Sequence, residues 1–145
     1  MARQDFSFFH PLRVRWAEVD MQGIVFNGHY LTYFDVAFTE YWRATGLPSV
    51  IQQAEEGREM FARKATIEYL APAHFDDMLD IGVRCAGFGR TSVRFVIEIH
   101  CGEEHLISGE LVYVYADTAA RKGVAFPERW RDVITKFERL APVEA

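Results

Sequence analysis

A carboxylate, Asp20, and a glycine-containing stretch precede the most strongly apolar helical pattern of the chain. Asp20 follows a strand-like segment, and the helical pattern begins at His29. Between them, the residues that favour irregular backbone are Gly23, Asn27 and Gly28. The first turn of a helix has backbone N–H groups without intrahelical acceptors, and such groups can stabilise a developing oxyanion. A nucleophile or base facing N–H donors is the arrangement that acyl transfer requires.

Other catalytic motifs are missing from the sequence. It has no P-loop, no GxGxxG, no GxSxG and no HExxH motif, and Gly87-x-Gly89 is better explained as a hairpin turn. The only cysteines, Cys85 and Cys101, form no CxxC pair, and no histidine stands at metal-ligand spacing. We therefore expect two reduced thiols, no metal and no cofactor. Asp20 alone would be typical of an ordinary turn residue, so the residues that follow it must decide its role.

Length and charge narrow the class of protein. With 145 residues, half of them hydrophobic, the chain predicts one domain over 1–145. Its formal charge of -5 gives no general reason to bind nucleic acid or an anionic membrane. No apolar run approaches the roughly 18 to 20 residues of a membrane span, and the first residues lack the apolar core of a signal peptide. We expect a cytoplasmic protein.

One long helix should position the candidate residues that precede it. The apolar residues from His29 to Thr45 recur at intervals of three and four, and Gly46 and Pro48 then stop the pattern. The stripe comprises Tyr30, Phe34, Ala37, Phe38, Tyr41 and Trp42. A strand over Phe8–Trp16 precedes this helix, and a short second helix can follow over Ser49–Gly57.

The second half of the chain reads as consecutive strands. In the first of them, the pattern places Phe61, Ala65, Ile67 and Tyr69 on one face. Short turns connect the strands, and a terminal helix with apolar residues at helical spacing follows. The predicted strands are Met60–Leu70, Met78–Phe88, Thr91–Cys101 and His105–Ala116, and the terminal helix is Pro127–Leu140. The order predicts an α+β fold with a curved antiparallel sheet of about five strands wrapped against the long helix. Its exposed edges favour a homodimer, and dimers could pair into a tetramer.

The segment after Asp20 resembles the signature of the 4-hydroxybenzoyl-CoA thioesterase family. The pattern D-x-x-G-x-V-[aromatic]-x-x-x-Y-x-x-[aromatic]-[aromatic]-x-x-A-x-x-E is met by Asp20, Gly23, Val25, Phe26, Tyr30, Tyr33, Phe34, Ala37 and Glu40. Downstream, 66–73 and 76–79 resemble the second strand of the family and the turn after it. The resemblance implies a hot-dog fold and hydrolysis of acyl-CoA.

The resemblance also implies roles for individual residues. Asp20 matches the catalytic aspartate, which attacks the thioester carbonyl or activates water. The backbone N–H of Asn27 falls where the family polarises that carbonyl, and Gly28 leaves room for a close approach. Many bacterial relatives, including the Tol-Pal-associated type, have a histidine where this chain has Asn27. We do not assign that role to His29, because a shift of two positions turns a side chain to another face of a helix.

The substrate can be assigned candidate contacts in the same way. CoA carries phosphates, which favours Arg90 after the Gly87–Gly89 turn, together with Thr91 and Ser92. The further candidates for substrate binding are Gly23, Phe26, Gly28, Tyr30 and Met60. Glu18 is expected to be solvent-exposed, and a supporting role behind Asp20 stays open for it. Two alternatives stay open: a thioesterase for acyl-carrier-protein substrates, which the acidic charge disfavours, and a non-catalytic acyl-CoA-binding module on the same fold.

Overall fold

The structure, a computed structural model, describes residues 3–144. Met1, Ala2 and Ala145, which the predicted domain 1–145 includes, lie outside the described residues. Two short 3-10 turns occur at Arg3–Asp5 and Trp16–Glu18. The first strand ends at Arg13, before the second turn, and is therefore shorter than predicted. The strands and helices in chain order are β1 (Phe9–Arg13), α1 (His29–Thr45), α2 (Val50–Glu55), β2 (Arg58–Tyr69), β3 (Met78–Phe88), β4 (Ser92–Cys101), β5 (Glu104–Asp117), β6 (Lys122–Gly123), α3 (Glu128–Phe137) and β7 (Val143–Glu144).

The five long strands form the antiparallel sheet that the sequence predicts. They lie in the order β1-β3-β4-β5-β2, and the two-residue strands β6 and β7 pair with β5 and β3. The curved sheet and the long helix make the α+β hot-dog fold. Within the described residues β2 pairs with β5 only, so its other side is an open edge of twelve residues.

Helix α1 has the predicted bounds and buries the predicted stripe, with Tyr33 added to it. Gly46 ends it in the left-handed conformation, with φ of 77°. The helix lies very close to the sheet at one point. A Cβ on Gly109 of β5 would stand 2.4 Å from the Phe34 ring and 2.6 Å from the carbonyl oxygen of Thr66. Only glycine fits there, so this position sets how closely α1 packs.

The prediction for β2 was wrong in one respect. The pairing of β2 with β5 shifts register between Ala62 and Lys64. Phe61 pairs with Val114, whereas Ala65 pairs with Leu111, so Phe61 lies on the opposite face from Ala65. A β-bulge inserts one residue and reverses the alternation of side chains, which a period-two reading of the sequence assumes to be unbroken.

The terminal helix α3 packs against α1 and ends earlier than predicted. The Trp130 ring lies 5.6 Å from that of Trp42. The backbone becomes extended at Glu138, whose buried carboxylate accepts hydrogen bonds from the Tyr41 hydroxyl and from the Cys85 amide. Burial raises the pKa of Glu138. Among the helices formed by residues 3–144, none combines the length and the apolar character of a bilayer span.

Candidate active site

Asp20 lies in a tight turn between β1 and α1. Its backbone N–H donates to the carbonyl of Ile24 at 2.9 Å, and the Gly23 N–H donates to the Asp20 carbonyl at 3.0 Å. Gly23 has φ of 79°, a conformation that side chains rarely adopt. The Gln22 N–H donates to Oδ1 of Asp20 at 2.8 Å. This Asx-type bond fixes the half-buried carboxylate.

The Asp20 carboxylate borders two openings on the surface. One is a cleft of about 410 Å³, and three of the residues that the sequence marked for the site, Asp20, Asn27 and Tyr30, line it. The other is a neighbouring opening of about 480 Å³, which Asp20 shares with Gly23. The remaining residues of the first cleft are Gln22, Ile24, Val25, Tyr69, Leu70, Ala71 and Pro72. The first cleft therefore brings together the carboxylate and the start of α1.

The start of α1 presents unused N–H donors. The carbonyls of Phe26 and Asn27 accept from the backbone of His29 and Tyr30, at 3.0 and 3.4 Å. The Tyr69 hydroxyl also donates to the Asn27 carbonyl, at 3.1 Å. Over residues 3–144, in contrast, the amides of Asn27 and Gly28 donate to no protein acceptor. These amides can bind the oxygen of a carbonyl that enters the cleft.

Glu18 is buried, which contradicts the exposed position expected from the sequence. Its residue surface is 7% exposed. The carboxylate accepts hydrogen bonds from the Arg15 amide at 2.8 Å, from the Arg15 guanidinium and from the Tyr33 hydroxyl at 2.9 Å. Burial by itself raises the pKa of Glu18, but these hydrogen bonds outweigh it and hold the pKa below its ordinary value. The Glu18 carbonyl also accepts from Phe26, so Glu18 braces both ends of the loop.

Tyr30 lies beneath the cleft with its hydroxyl oriented by the backbone. The Ala73 N–H donates to this hydroxyl at 3.1 Å. Burial raises the pKa of Tyr30, and the nearby Asp20 charge adds to the shift, so the hydroxyl keeps its proton. A hydroxyl that accepts one bond can still donate another. Tyr30 can therefore donate a hydrogen bond to a ligand in the cleft.

Phe26, Gly28 and His29 form the outer side of the helix start. Phe26 is about half exposed, and its ring lies 5.7 Å from that of His29. A Cβ on Gly28 would meet the Phe26 ring at 3.1 Å. The position that a Cβ of Gly28 would occupy thus adjoins the Phe26 ring. Both residues flank Asn27, which lines the cleft.

The other predicted substrate contacts lie at the far end of the sheet. Strand β3 runs for about 33 Å from Met78, near the Asp20 loop, to the turn that carries Arg90. Thr91 lies in the same turn and accepts from the Tyr115 amide at 2.8 Å, while Ser92 borders a separate opening of about 220 Å³. Met60 lines a cleft of about 380 Å³ with Trp42 and other residues. Within one chain, these four residues are not near Asp20.

Sequence reasoning did not assign the contacts of two residues that support the site. Tyr69 holds the Asn27 carbonyl, and Glu18 braces the loop through Tyr33. Tyr69 lies in the 66–73 segment that carries the family resemblance. The resemblance therefore included this residue but did not indicate its contact with Asn27. For Glu18, the buried partner belongs to the next helix, and spacing along the chain gives no sign of that contact.

Comparison with known proteins places the chain in a family. The model of the family described as the thioesterase superfamily matches residues 22–108, which include Asn27, Tyr30 and Tyr69. A protein of Escherichia coli named acyl-CoA thioester hydrolase YbgC is 31% identical over 134 residues, which are 91% of this chain and 96% of the relative. An acyl-CoA thioesterase YbgC of Haemophilus influenzae is 25% identical over 94% of this chain and 98% of its own length.

Solved structures share the fold. A Pseudomonas aeruginosa protein superposes with a TM-score of 0.81 at 26% identity and covers 96% of both chains. A 1,4-dihydroxy-2-naphthoyl-CoA thioesterase from Synechocystis gives the same TM-score at 22% identity, over 88% of this chain and 94% of its own. At that identity the second likeness concerns the fold alone.

Proposed function

The chain belongs to the thioesterase superfamily and is a thioester hydrolase, and we propose that it cleaves acyl-CoA to a free acid and CoA with Asp20 as the reacting carboxylate. One observation carries this proposal. Asp20 and Asn27 line the same cleft, and the Asn27 amide has no acceptor within residues 3–144. The likeness to the acyl-CoA thioester hydrolases supports the choice of CoA as the leaving group.

Two chemical routes fit the geometry, and both begin with ionised Asp20. In one, a carboxylate oxygen attacks the thioester carbon and the C–S bond breaks. The CoA thiolate takes a proton from water, and the resulting hydroxide cleaves the mixed anhydride into the free acid and the Asp20 carboxylate. In the other, Asp20 takes a proton from water while the water oxygen attacks the carbonyl carbon. The tetrahedral intermediate then expels the CoA thiolate, which receives that proton.

The amide at the start of α1 stabilises the charge that both routes create on the carbonyl oxygen. The backbone at Asn27 is held in place, because the Asn27 carbonyl accepts a hydrogen bond from the Tyr69 hydroxyl. Preorganised N–H donors of this kind contribute about 3 to 4 kcal/mol to related reactions. The Tyr30 hydroxyl can supply a second contact to the bound thioester.

A homodimer would bring the distant candidate residues to Asp20. Strand β2 has an open edge, and two copies related by a twofold axis would pair these edges antiparallel. The Tyr69 end of β2 lies at the Asp20 cleft, whereas the Met60 end pairs with Tyr115, whose amide contacts Thr91. The pairing would therefore set Met60 and the Arg90 turn of one copy against the Asp20 cleft of the other. We include this shared site in the proposal.

Mixing two variants tests the shared site. Asp20→Asn should abolish turnover, and Arg90→Ala should raise the KM for acyl-CoA by removing a phosphate contact. In a mixed dimer, one of the two sites would combine intact Asp20 with intact Arg90. Mixing after mild dissociation should restore the wild-type KM in a fraction of sites. If both residues act within one chain, the mixture would show only the raised KM.

A panel of acyl-CoA esters with short, long and aromatic acyl groups tests the activity itself. Release of free thiol should identify at least one substrate whose kcat/KM falls in the ordinary enzymatic range above about 10⁴ M⁻¹s⁻¹. If thiol is released from acyl-carrier-protein thioesters but from no acyl-CoA ester, the protein is a thioesterase for acyl-carrier-protein substrates. Binding of acyl-CoA without thiol release would identify a non-catalytic module.

A further inference from the structure

Three potential metal ligands meet on the face of the sheet that points away from α1. His100 of β4 pairs directly with His105 of β5 across the turn between these strands, and Glu98 stands two residues before His100 on the same face. The intervening Ile99 belongs to the core under α1. The sequence predicted no metal because His100 and His105 are five positions apart, a spacing that the hairpin register converts into direct neighbours.

The geometry of this cluster suits one ion. A ligand atom from each of Glu98, His100 and His105 lies within 4.8 Å of the others. Oε1 of Glu98 and Nε2 of His100 are 3.0 Å apart. Ligands of a tetrahedral Zn²⁺, each at about 2.0 to 2.2 Å, are separated by about 3.4 Å. The two imidazole rings are stacked, with centroids 4.7 Å apart and planes inclined by 22°, so binding requires one ring to turn until both lone pairs point at the same ion.

Burial gives the cluster a need for positive charge. The side chains of Glu98 and His100 are each 7% exposed. The Phe9 ring lies edge-on to His100 at 6.5 Å, and Arg3, which stacks over Phe9, pairs with Asp80, the β3 neighbour of His100. A buried carboxylate is stabilised by a cation beside it, and a metal ion bound by Glu98 and His100 would supply one.

The hydrogen bonds of His105 prepare it as a ligand. Its Nε2 lies 2.9 Å from the carbonyl oxygen of Ile107 and 2.9 Å from the Ser108 hydroxyl. A carbonyl can only accept, so in the neutral ring the proton is on Nε2 and the lone pair is on Nδ1. Metal-binding histidines in proteins typically donate their second N–H to such a carbonyl, which fixes the ring.

We infer that Glu98, His100 and His105 bind a divalent transition-metal ion of the zinc class. Two imidazole nitrogens and a carboxylate oxygen are donors that Zn²⁺ accepts readily, whereas Mg²⁺ and Ca²⁺ prefer oxygen ligands only. None of the three residues lines the Asp20 cleft. The ion would join β4 to β5 beneath the Arg3–Phe9 segment, and its role would be to stabilise the fold.

Zinc binding to the chelator-treated full-length protein tests the site directly. After dialysis against Zn²⁺, elemental analysis should find one zinc per chain in the wild type. Free Zn²⁺ at about 100 times its Kd should raise the Tm by at least about 5 °C, and Mg²⁺ at the same concentration should not. Co²⁺ should give the visible absorption bands of a tetrahedral site. A wild-type protein that takes up no zinc and gives no Co²⁺ bands would overturn the inference.

Variants separate this site from surface binding of the metal. His105→Gln and Glu98→Gln should each lose the zinc and the rise in Tm, and the control His10→Gln, which changes a histidine of β1, should keep both. Full zinc binding by His105→Gln and by Glu98→Gln would contradict the site. If one variant fails to fold, the other and the Co²⁺ spectrum of the wild type still decide.

Discussion

The Tyr33 hydroxyl donates a hydrogen bond of 2.9 Å to the buried carboxylate of Glu18, two residues before Asp20. Because Tyr33 lies in the buried stripe of α1, this contact joins the loop that carries Asp20 to the core. The same carboxylate is held by the Arg15 amide, at the end of the segment from β1. The position of Asp20 thus depends on a buried carboxylate that does not line the Asp20 cleft.

Glu18→Gln should lower both stability and turnover. The amide cannot accept all the bonds that the carboxylate accepts, so the free energy of unfolding should fall by about 1 to 2 kcal/mol. A looser loop should reduce kcat by about tenfold with little change in KM. The control Glu40→Gln alters another glutamate that pairs with an arginine three residues away, but on the surface, and it should cost less than about 0.5 kcal/mol. If Glu18→Gln and Glu40→Gln lower the unfolding free energy and kcat by equal amounts, the bracing role of Glu18 is contradicted.

The contribution of Glu18 should depend on pH. Its pKa in the folded protein is lowered from the ordinary value of 4.5. A lowered carboxyl pKa means that the stabilisation is complete above the ordinary value and disappears as the pH falls through the lowered pKa. The difference in unfolding free energy between wild type and Glu18→Gln should therefore be constant near neutral pH and shrink below about pH 4.5. A difference that grows on acidification would refute the assignment.

Gly23→Ala should distort the turn that presents Asp20. The φ of 79° at Gly23 costs about 1 kcal/mol for alanine, although no atom lies within 4 Å of an added Cβ. We expect a loss of that size in unfolding free energy and a reduced kcat. Gly23→Asn should recover part of both, because asparagine tolerates this conformation better. If alanine and asparagine behave alike, the backbone conformation is not the cause.

Asn27→Ala should be mild. The proposed role of Asn27 belongs to its backbone N–H, which alanine retains, and the Asn27 side chain makes no hydrogen bond within residues 3–144. We expect kcat/KM for the best acyl-CoA substrate to fall less than about threefold, since only contacts of the side chain are lost. A loss as large as that of Asp20→Asn would show that the side chain takes part in the reaction.

Local patterns were sufficient to predict much of the fold. The bounds of α1 agree because a continuous apolar stripe ends at a glycine with φ of 77°, and β3 agrees because short turns delimit it. The bulge near Ala62 could not be predicted, since register depends on the partner strand β5. Asp20 and Asn27 were predicted as site residues from the family resemblance, and both line one cleft, while their roles in catalysis stay a prediction.

The features that could not be predicted from the sequence depend on contacts between distant elements. The burial of Glu18 requires Tyr33 from α1, and the pairing of His100 with His105 requires the hairpin register. Met60 and Arg90 were predicted near the substrate, yet within one chain they lie at the other end of the sheet from Asp20. The proposed homodimer would bring Met60 and Arg90 of one copy to Asp20 of the other. The pattern of a single sequence does not indicate which residues meet across such an interface.

The turnover of Asp20→Asn tests the central claim most directly. Asparagine keeps the shape of the side chain and can still accept from the Gln22 amide, so the fold and the Tm should persist. As a matched control, Asp132→Asn changes an exposed aspartate on α3 and should keep the wild-type rate. Thiol release from the best acyl-CoA substrate should fall by at least about 100-fold in Asp20→Asn, because both routes need the carboxylate. Turnover within about threefold of the wild type in a folded Asp20→Asn protein would contradict the account.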